Sequence, residues 1–117
     1  MRADERIIAI GPEAAQPRLS VLTPFHRHDP SPLLSRLAGA PPGVEFILLD
    51  DGSGSATLLA SVIAAAERLE ASVRIIIWDK NGGRVAARNR LIAEARGEHV
   101  LFLDADMIPD SGRFLSI

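Results

Sequence analysis

Acidic side chains follow three apolar runs of the sequence. Carboxylates that gather in one place repel one another unless a cation or a hydrogen-bond donor lies between them. Hard oxygen ligands in a chain without cysteine favour Mg²⁺ or Mn²⁺, held by one or two carboxylates and a phosphate group. The acids are Asp50 and Asp51 at the end of VEFILLDD, Asp79 at the end of VRIIIWD, and the pair Asp104-x-Asp106 after HVLFL.

Ordinary loop chemistry is the alternative for both acidic sites. Residues 50–53 (DDGS) are also typical of a turn in which Asp or Ser caps a helix that begins near residue 55. The stretch DADMIPDSG likewise has the composition of a loop. A calcium loop of the EF-hand type is excluded, because Pro109 stands where the turn glycine belongs and Leu115 where the bidentate Glu belongs.

Strand-like and helix-like patterns alternate along the chain and must position these acids. The apolar runs do not alternate with polar residues, which is typical of parallel strands covered on both faces. Such βαβ units form an open sheet that binds ligands at the carboxyl ends of its strands, so the acids should meet there. Strands are predicted at 19–24, 44–50, 73–79 and 99–104, with 6–10 as an edge strand, and helices at 31–39, 55–71 and 83–97.

The third predicted helix and the turn before it contain two further candidates. Arg88 lies on the helical stripe shared with Ile92 and Ala95, which is predicted to face the sheet near its ligand-binding edge. A guanidinium there suits a carboxylate or a phosphate, and a solvated surface is the alternative. The turn NGG (81–83) either brings backbone amides to an anion or is simply flexible.

Two histidines follow the first main strand. His26 and His28, together with Asp29, have a spacing that suggests a zinc site, but a solvated loop is the favoured interpretation. His99, at the start of the last strand, is interpreted as structural.

Composition excludes several classes of protein. The 117 residues suffice for one small domain, and a net charge of −2 with twelve Arg and one Lys does not favour nucleic-acid binding. The dinucleotide fingerprint, the P-loop and the nucleophile elbow are all absent from the sequence. The N-terminal stretch lacks the apolar core of a signal peptide, and no apolar run approaches the ~20 residues of a membrane span. A cytoplasmic location, including the inner face of the membrane, is predicted.

Four ordered pieces of the sequence resemble the N-terminal, nucleotide-binding half of a family 2 glycosyltransferase with the GT-A fold. The resemblance implies a three-layer, Rossmann-like α/β fold with helices on both faces of a mostly parallel sheet, the main strands lying in the order third, second, first, fourth. Residues 1–17 are then an N-terminal extension with an edge strand and a flexible lead-in, and 18–117 are the donor-binding part of a GT-A domain. The pieces are SVLTPF, FILLDDGSGSAT, NGGRVAARNRLIAEARGEHVLFLDAD and MIPDSGRFL.

The resemblance implies a nucleoside-binding role for five residues. Asp51 matches the acid that hydrogen-bonds the base of a sugar-nucleotide donor, and Asp50 supports its loop. Pro24 and Phe25 match the strand end that lines the base and ribose pocket. Arg88 matches an Arg on the helix beside the donor site.

The acid pair is implied to bind the metal. Asp104 matches the first acid of the DxD motif, near the ribose or a metal-bound water, and Asp106 the second, which binds the ion. The Mg²⁺ or Mn²⁺ ion bridges the diphosphate and neutralises the leaving group.

Two departures from the family pattern restrict these implications. After Pro24 the family usually has a small residue, Tyr and Asn, whereas this chain has Phe25, His26 and Arg27. A uridine donor is therefore not assumed, and the donor is a UDP-, GDP- or dTDP-sugar. Inverting members carry their catalytic base on a later segment, and the chain as given ends at Ile117 before it, so no catalytic residue is assigned.

The predicted function is inverting transfer of a sugar from a nucleotide-diphospho-sugar to a saccharide or lipid-linked acceptor. The alternative is a module that only binds nucleotide, or an inactive fragment without the base.

Two other classes of protein do not fit the sequence. A phospho-accepting receiver domain would need an acid pair after its first strand and a Lys after its last, and this chain has neither. A nucleotidyltransferase would need a Gly-rich phosphate loop with a Lys or Arg, and TPFHRHDPSP is not such a loop.

Overall fold

A five-stranded sheet forms the centre of the computed structural model, which describes residues 2–109 and Leu115. The sheet order is β1-β4-β3-β2-β5; β1 is antiparallel to β4, and the other neighbours are parallel. The order expected for the main strands is confirmed, and so is the edge strand. The elements are β1 (Glu5–Ile10), β2 (Leu19–Phe25), α1 (Ser31–Arg36), β3 (Val44–Asp51), α2 (Ala56–Glu67), β4 (Ser72–Trp78), α3 (Arg84–Glu94) and β5 (His99–Phe102).

Both faces of the sheet are covered, which explains why the strands have continuous apolar runs. Phe46 and Leu48 of β3 point towards α1 and α2, whereas Ile47 and Leu49 point towards α3. Each such side chain stabilises the fold by about 1.5–3 kcal/mol relative to an exposed one. The three-layer α/β architecture is therefore confirmed, with two helices on one face and one on the other.

The helices are shorter than the sequence patterns predict. The helix predicted at 83–97 ends at Glu94, because Ala95 is extended, with ψ 136°. This break lets the Arg96 N–H donate to Glu45 Oε2 at 2.8 Å and the Gly97 N–H donate to Ser20 Oγ at 2.8 Å. The other two helices end at Arg36 and Glu67.

A chain of ion pairs connects β1 to the sheet beneath α3. The Arg74 guanidinium contacts Glu45 Oε1 at 3.0 Å and Glu94 Oε2 at 2.9 Å. Arg90 then joins Glu94 to Glu5, which it contacts with two nitrogens at 2.9 and 3.0 Å. Removing one partner from a buried pair leaves an uncompensated charge, which costs about 3–5 kcal/mol. The first strand is therefore an integral part of this sheet.

Residues 11–17 connect β1 to β2 without regular structure, and Glu13 forms a 2.6 Å ion pair with Arg96. Within the described residues, no helix is both long enough and apolar enough to cross a bilayer.

Candidate functional site

A cavity of about 460 Å³ lies at the carboxyl edge of the sheet, where β2 and β3 end and α3 begins. The parallel register produces this convergence, since Phe25 pairs with Asp50 and Leu22 pairs with Phe102. The cavity is open to solvent and is lined by Pro24, Phe25, His26, His28, Asp51, Asn81, Gly83, Arg84, Arg88, Asp104, Ala105 and Asp106.

Most of the sequence-predicted site residues meet in this cavity. Pro24 and Phe25 form one wall, and the side chains of Asp51, Arg88 and the Asp104-x-Asp106 pair also line it. Asp50 and Asp79 do not line the cavity.

Asp51 joins the loop after β3 to the NGG turn before α3. Its buried carboxylate accepts the Gly82 N–H at 2.6 Å and the Gly83 N–H at 3.2 Å. Its carbonyl oxygen accepts hydrogen bonds from Asn81 Nδ2 at 3.1 Å and His26 Nδ1 at 2.7 Å. The NGG amides therefore do approach an anion, and that anion is Asp51 itself. Each carboxylate oxygen has a second lone pair, so Asp51 can still accept a hydrogen bond from a ligand.

The contact between the two loops requires a glycine at position 52. Gly52 has φ +75°, and a Cβ there would overlap the backbone nitrogen of Asn81. Any other residue would strain the turn and push the two loops apart.

Asp50 stabilises the same loop from inside. It is buried, and its Oδ1 accepts the Ser53 N–H at 2.9 Å. The helix cap comes from Ser55, whose Oγ accepts the Leu58 N–H at 3.1 Å. The turn interpretation of DDGS is therefore confirmed, whereas the capping residue is Ser55 and not a residue of 50–53.

Asp104 and Asp106 are exposed at the rim of the cavity. Neither carboxylate forms a hydrogen bond or an ion pair with any residue of the described range 2–109. A turn in which the Met107 N–H donates to the Asp104 carbonyl at 3.0 Å orders this segment. No group of three His, Cys, Asp or Glu side chains among the described residues could hold a metal without further ligands.

The donor set of this pair fits Mg²⁺ or Mn²⁺ with an oxygen-rich ligand. Two carboxylates supply hard oxygens, and the open cavity leaves the other coordination positions to water and phosphate oxygens, as these ions prefer. The segment MIPDSGRFL, the last of the four pieces that resemble the family, is only partly described, because residues 110–114 lie outside the described range.

Arg88 lies near the ligand-binding edge, as predicted, but its predicted place on the buried stripe of α3 is wrong. Ala87 and Leu91 form the buried stripe of the helix, whereas Arg88 is exposed and Ile92 is 50% exposed. Ala87 packs against the sheet together with Leu91, and Arg88 lies at the edge of the sheet beside the cavity. There the guanidinium lies 3.9 Å from the centroid of the Phe102 ring, a cation–π contact that holds it beside the cavity.

The expectation that Asp79 converges with the other acids is also wrong. Asp79 is exposed, because the chain turns after Trp78 towards the N-terminal segment. That turn is fixed at Lys80, whose N–H donates to Asp4 Oδ2 at 3.1 Å and whose carbonyl accepts from Arg2 at 2.7 Å.

The loop after β2 contributes more to the site than its sequence indicates. His26, Arg27 and His28 are all exposed, which confirms the interpretation as a solvated loop, and His26 and His28 also line the open cavity. The zinc interpretation does not fit, because the Asp29 carboxylate accepts hydrogen bonds from Ser31 and Ser61 instead. The sequence does contain a signal for this position, since both histidines follow a parallel strand at its ligand-binding end.

Comparison with known proteins agrees with this fold. The mannosyltransferase PcManGT from Pyrobaculum calidifontis, solved in complex with GDP-Man and Mn²⁺, superposes with a TM-score of 0.71 at 21% identity. The match covers 91% of this chain and 32% of that one. The fold is therefore that of the GT-A class.

The family model of Glycosyl transferase family 2 matches residues 31–117. Dodecaprenyl-phosphate galacturonate synthase from Rhizobium johnstonii is 36% identical over 99 residues, which are 79% of this chain and 29% of that protein. The O-antigen biosynthesis protein RfbC from Myxococcus xanthus is 30% identical over 102 residues, which are 84% of this chain and 8% of that protein. The chain belongs to glycosyl transferase family 2, and it spans about a third or less of the length of these relatives.

Proposed function

We propose that this chain is the donor-binding part of a glycosyltransferase that uses a nucleotide-diphospho-sugar. The observation that carries the proposal is the cavity at the carboxyl edge of the sheet. It brings a buried acid, Asp51, together with an acid pair at its rim and with the guanidinium of Arg88. A nucleoside diphosphate requires these features, because it presents hydrogen-bond donors at one end and several negative charges at the other.

The acid pair is proposed to bind the diphosphate end of the donor. Asp106 would hold Mg²⁺ or Mn²⁺ directly, together with phosphate oxygens. Asp104 would contact the same ion, a water bound to it, or the ribose of the donor. When bound, such an ion neutralises the charge that develops on the departing nucleoside diphosphate. The Pyrobaculum mannosyltransferase was solved with GDP-Man and Mn²⁺, which supports a divalent ion beside a nucleotide-sugar donor.

The nucleoside end is proposed to lie between Asp51 and the strand end of β2. The remaining lone pairs of the Asp51 carboxylate accept N–H groups of the base, and Asp50 fixes the loop that presents them. Pro24 and Phe25 provide the apolar wall for base and ribose. Arg88, held over the Phe102 ring, contacts the donor from the α3 side.

In the proposed reaction, an acceptor hydroxyl oxygen forms a bond to the anomeric carbon as the bond from that carbon to the diphosphate breaks, with inversion. The acceptor is a saccharide or a lipid-linked molecule in polysaccharide biosynthesis. The name of the Rhizobium relative, a dodecaprenyl-phosphate galacturonate synthase, supports the lipid-linked acceptor. The donor is a UDP-, GDP- or dTDP-sugar, and the site of action is the cytoplasm or the inner face of the membrane. We assign no residue of this chain as the base that takes the proton of the acceptor hydroxyl.

Calorimetric titration of the chain with UDP, GDP and dTDP, each with and without Mn²⁺, tests the proposal. We expect one nucleotide to bind in a metal-dependent manner, with Asp106→Ala removing the metal dependence. Asp79→Ala is the matched control, because Asp79 is an exposed acid outside the cavity, and it should bind as the wild type does. The proposal is wrong if no nucleotide binds, or if binding ignores both the metal and Asp106. Binding without sugar transfer to any acceptor would favour the alternative of a binding-only module.

A further inference from the structure

We infer that His26 determines nucleoside specificity in this cavity, with its Nε2 atom accepting a hydrogen bond from the base or ribose of the donor. The inference rests on the proposed function, because it assigns a contact within the same site. Its starting point is the contact between the His26 ring and the carbonyl oxygen of Asp51 at the wall of the cavity.

The backbone of this loop is held in an unfavourable conformation at Arg27, between two histidines that line the cavity. Arg27 has φ +57°, in the left-handed region, which costs a residue with a side chain about 1–2 kcal/mol. A 2.7 Å hydrogen bond from the Arg27 N–H to Ser53 Oγ stabilises the turn. His26 and His28 on either side line the cavity, whereas Arg27 does not. Strain of this kind at a cavity wall is common where a loop is shaped for a ligand.

The hydrogen bond of His26 identifies which ring nitrogen has the proton. Nδ1 lies 2.7 Å from the carbonyl oxygen of Asp51, and a carbonyl can only accept, so Nδ1 must be the donor. In the neutral imidazole the other nitrogen, Nε2, is then an acceptor. No residue in the described part of the chain forms a hydrogen bond with Nε2, so this acceptor is available to a ligand in the cavity.

The chemistry beside His26 selects the nucleoside rather than the diphosphate. His26 is bonded to Asp51, whose carboxylate can only accept hydrogen bonds and would repel a phosphate. The part of the ligand that lies beside His26 and Asp51 must therefore present N–H or O–H groups. A neutral Nε2 accepts from such groups, whereas a phosphate oxygen would require His26 to be protonated first.

The variant His26→Asn separates the two ring nitrogens. The amide nitrogen of Asn can replace Nδ1 as the donor to Asp51, but Asn has no group in the place of Nε2. We expect this variant to bind the nucleotide identified above about 5- to 10-fold more weakly, the loss of one hydrogen bond. His99→Asn is the matched control, because His99 is an exposed histidine at the end of β5 that is away from the cavity. This variant should bind the nucleotide with the affinity of the wild type.

Nitrogen-15 NMR of the imidazoles supplies a reading that a purely structural role would not change. We expect His26 of the free chain to be the neutral tautomer protonated at Nδ1, with the Nε2 resonance moving on addition of nucleotide and that of His99 staying constant. Calorimetry in two buffers of different ionisation enthalpy should show no proton uptake.

Three results would overturn the inference while leaving the proposed function intact. They are unchanged nucleotide affinity in His26→Asn, a His26 protonated at Nε2 in the free chain, and proton uptake on binding, which would indicate a phosphate at this position. If wild-type protein binds no nucleotide at all, the proposed function and this inference both fail.

Discussion

The carboxylate of Asp51 accepts the backbone N–H of Gly82 at 2.6 Å, although the two residues are 31 positions apart. The bond connects the end of β3 to the turn that starts α3, and the Gly83 N–H adds to it. The acid proposed to recognise the base is therefore also the residue that joins two loops at the wall of the cavity. In this proposal, ligand binding and local stability depend on the same side chain.

Replacing this acid tests that double dependence. In Asp51→Asn one carboxylate oxygen becomes an NH₂ group that faces the amides of the NGG turn. We expect the free energy of unfolding to fall by about 1–3 kcal/mol, the cost of leaving a buried donor unsatisfied. Urea denaturation measures the change. Asp79→Asn, an exposed acid outside the cavity, should unfold like the wild type, and equal stability of both variants would contradict the structural role of Asp51.

Two glycines with positive φ give a matched pair of substitutions. Gly52 has φ +75° and faces the Asn81 backbone, whereas Gly54 has φ +65° with open space around it. Gly54→Ala should cost only the left-handed conformation, about 1–2 kcal/mol. Gly52→Ala adds a clash between the two loops, so its unfolding midpoint in urea should be clearly lower. Similar midpoints would mean that the loops do not pack as described.

The strained turn after β2 predicts a stabilising substitution. Glycine adopts the left-handed conformation of Arg27 readily, so Arg27→Gly removes the strain. Glycine also gives the unfolded chain more conformational freedom, which offsets part of this gain. The net result should be a rise of about 0.5–1 kcal/mol in the free energy of unfolding. Arg27→Ala keeps the strain and is the control, with stability near that of the wild type. Thermal unfolding compares the three proteins, and a destabilised Arg27→Gly would refute the assignment of strain.

The stability of the chain should depend on pH through Glu5. The hydrogen bonds from Arg90 lower the pKa of Glu5 below its ordinary value of 4.5, against a smaller opposing effect of burial. A carboxyl whose pKa is lower in the folded state stabilises the fold above its unfolded pKa, and this contribution is lost as the pH falls through the folded pKa. The stability difference between wild type and Glu5→Gln should therefore be full well above pH 4.5 and shrink as the pH falls below that value.

Urea denaturation at a series of pH values measures this difference. Glu98→Gln is the control, because Glu98 is exposed and forms no ion pair with any described residue, and it should change stability by no more than about 0.5 kcal/mol. A difference for Glu5→Gln that stays constant with pH would contradict the ion pair with Arg90.

The sheet is predictable because parallel strands leave a local trace in the sequence. Strands such as β3 and β4 must bury side chains on both faces, so their sequences are continuously apolar, and a parallel sheet gathers the acids that follow its strands. The strand pattern alone therefore suffices to assign Asp51 and the pair that begins at Asp104 to one edge of the sheet.

Other features depend on contacts that no local pattern records. Whether Arg88 or Ala87 faces the sheet is decided by how closely α3 packs, and a one-residue rotation changes the answer. The role of the NGG turn depends on its partner, Asp51, which lies 30 residues or more away in sequence. The left-handed turn at Arg27 gives no sign in sequence, because residues other than glycine adopt it only when tertiary contacts impose it.

The antiparallel pairing of β1 with β4 has a consequence for the order of folding. Glu5 pairs with Trp78 and Ile10 with Val73, so β1 is separated from β4, its partner in the described sheet, until more than sixty further residues have been synthesised. Strands β2 and β3 can pair earlier, since they are separated by a single short helix. Non-local pairing of this kind slows folding. The N-terminal strand is thus among the first parts of the sheet to be made and among the last that can be added to it.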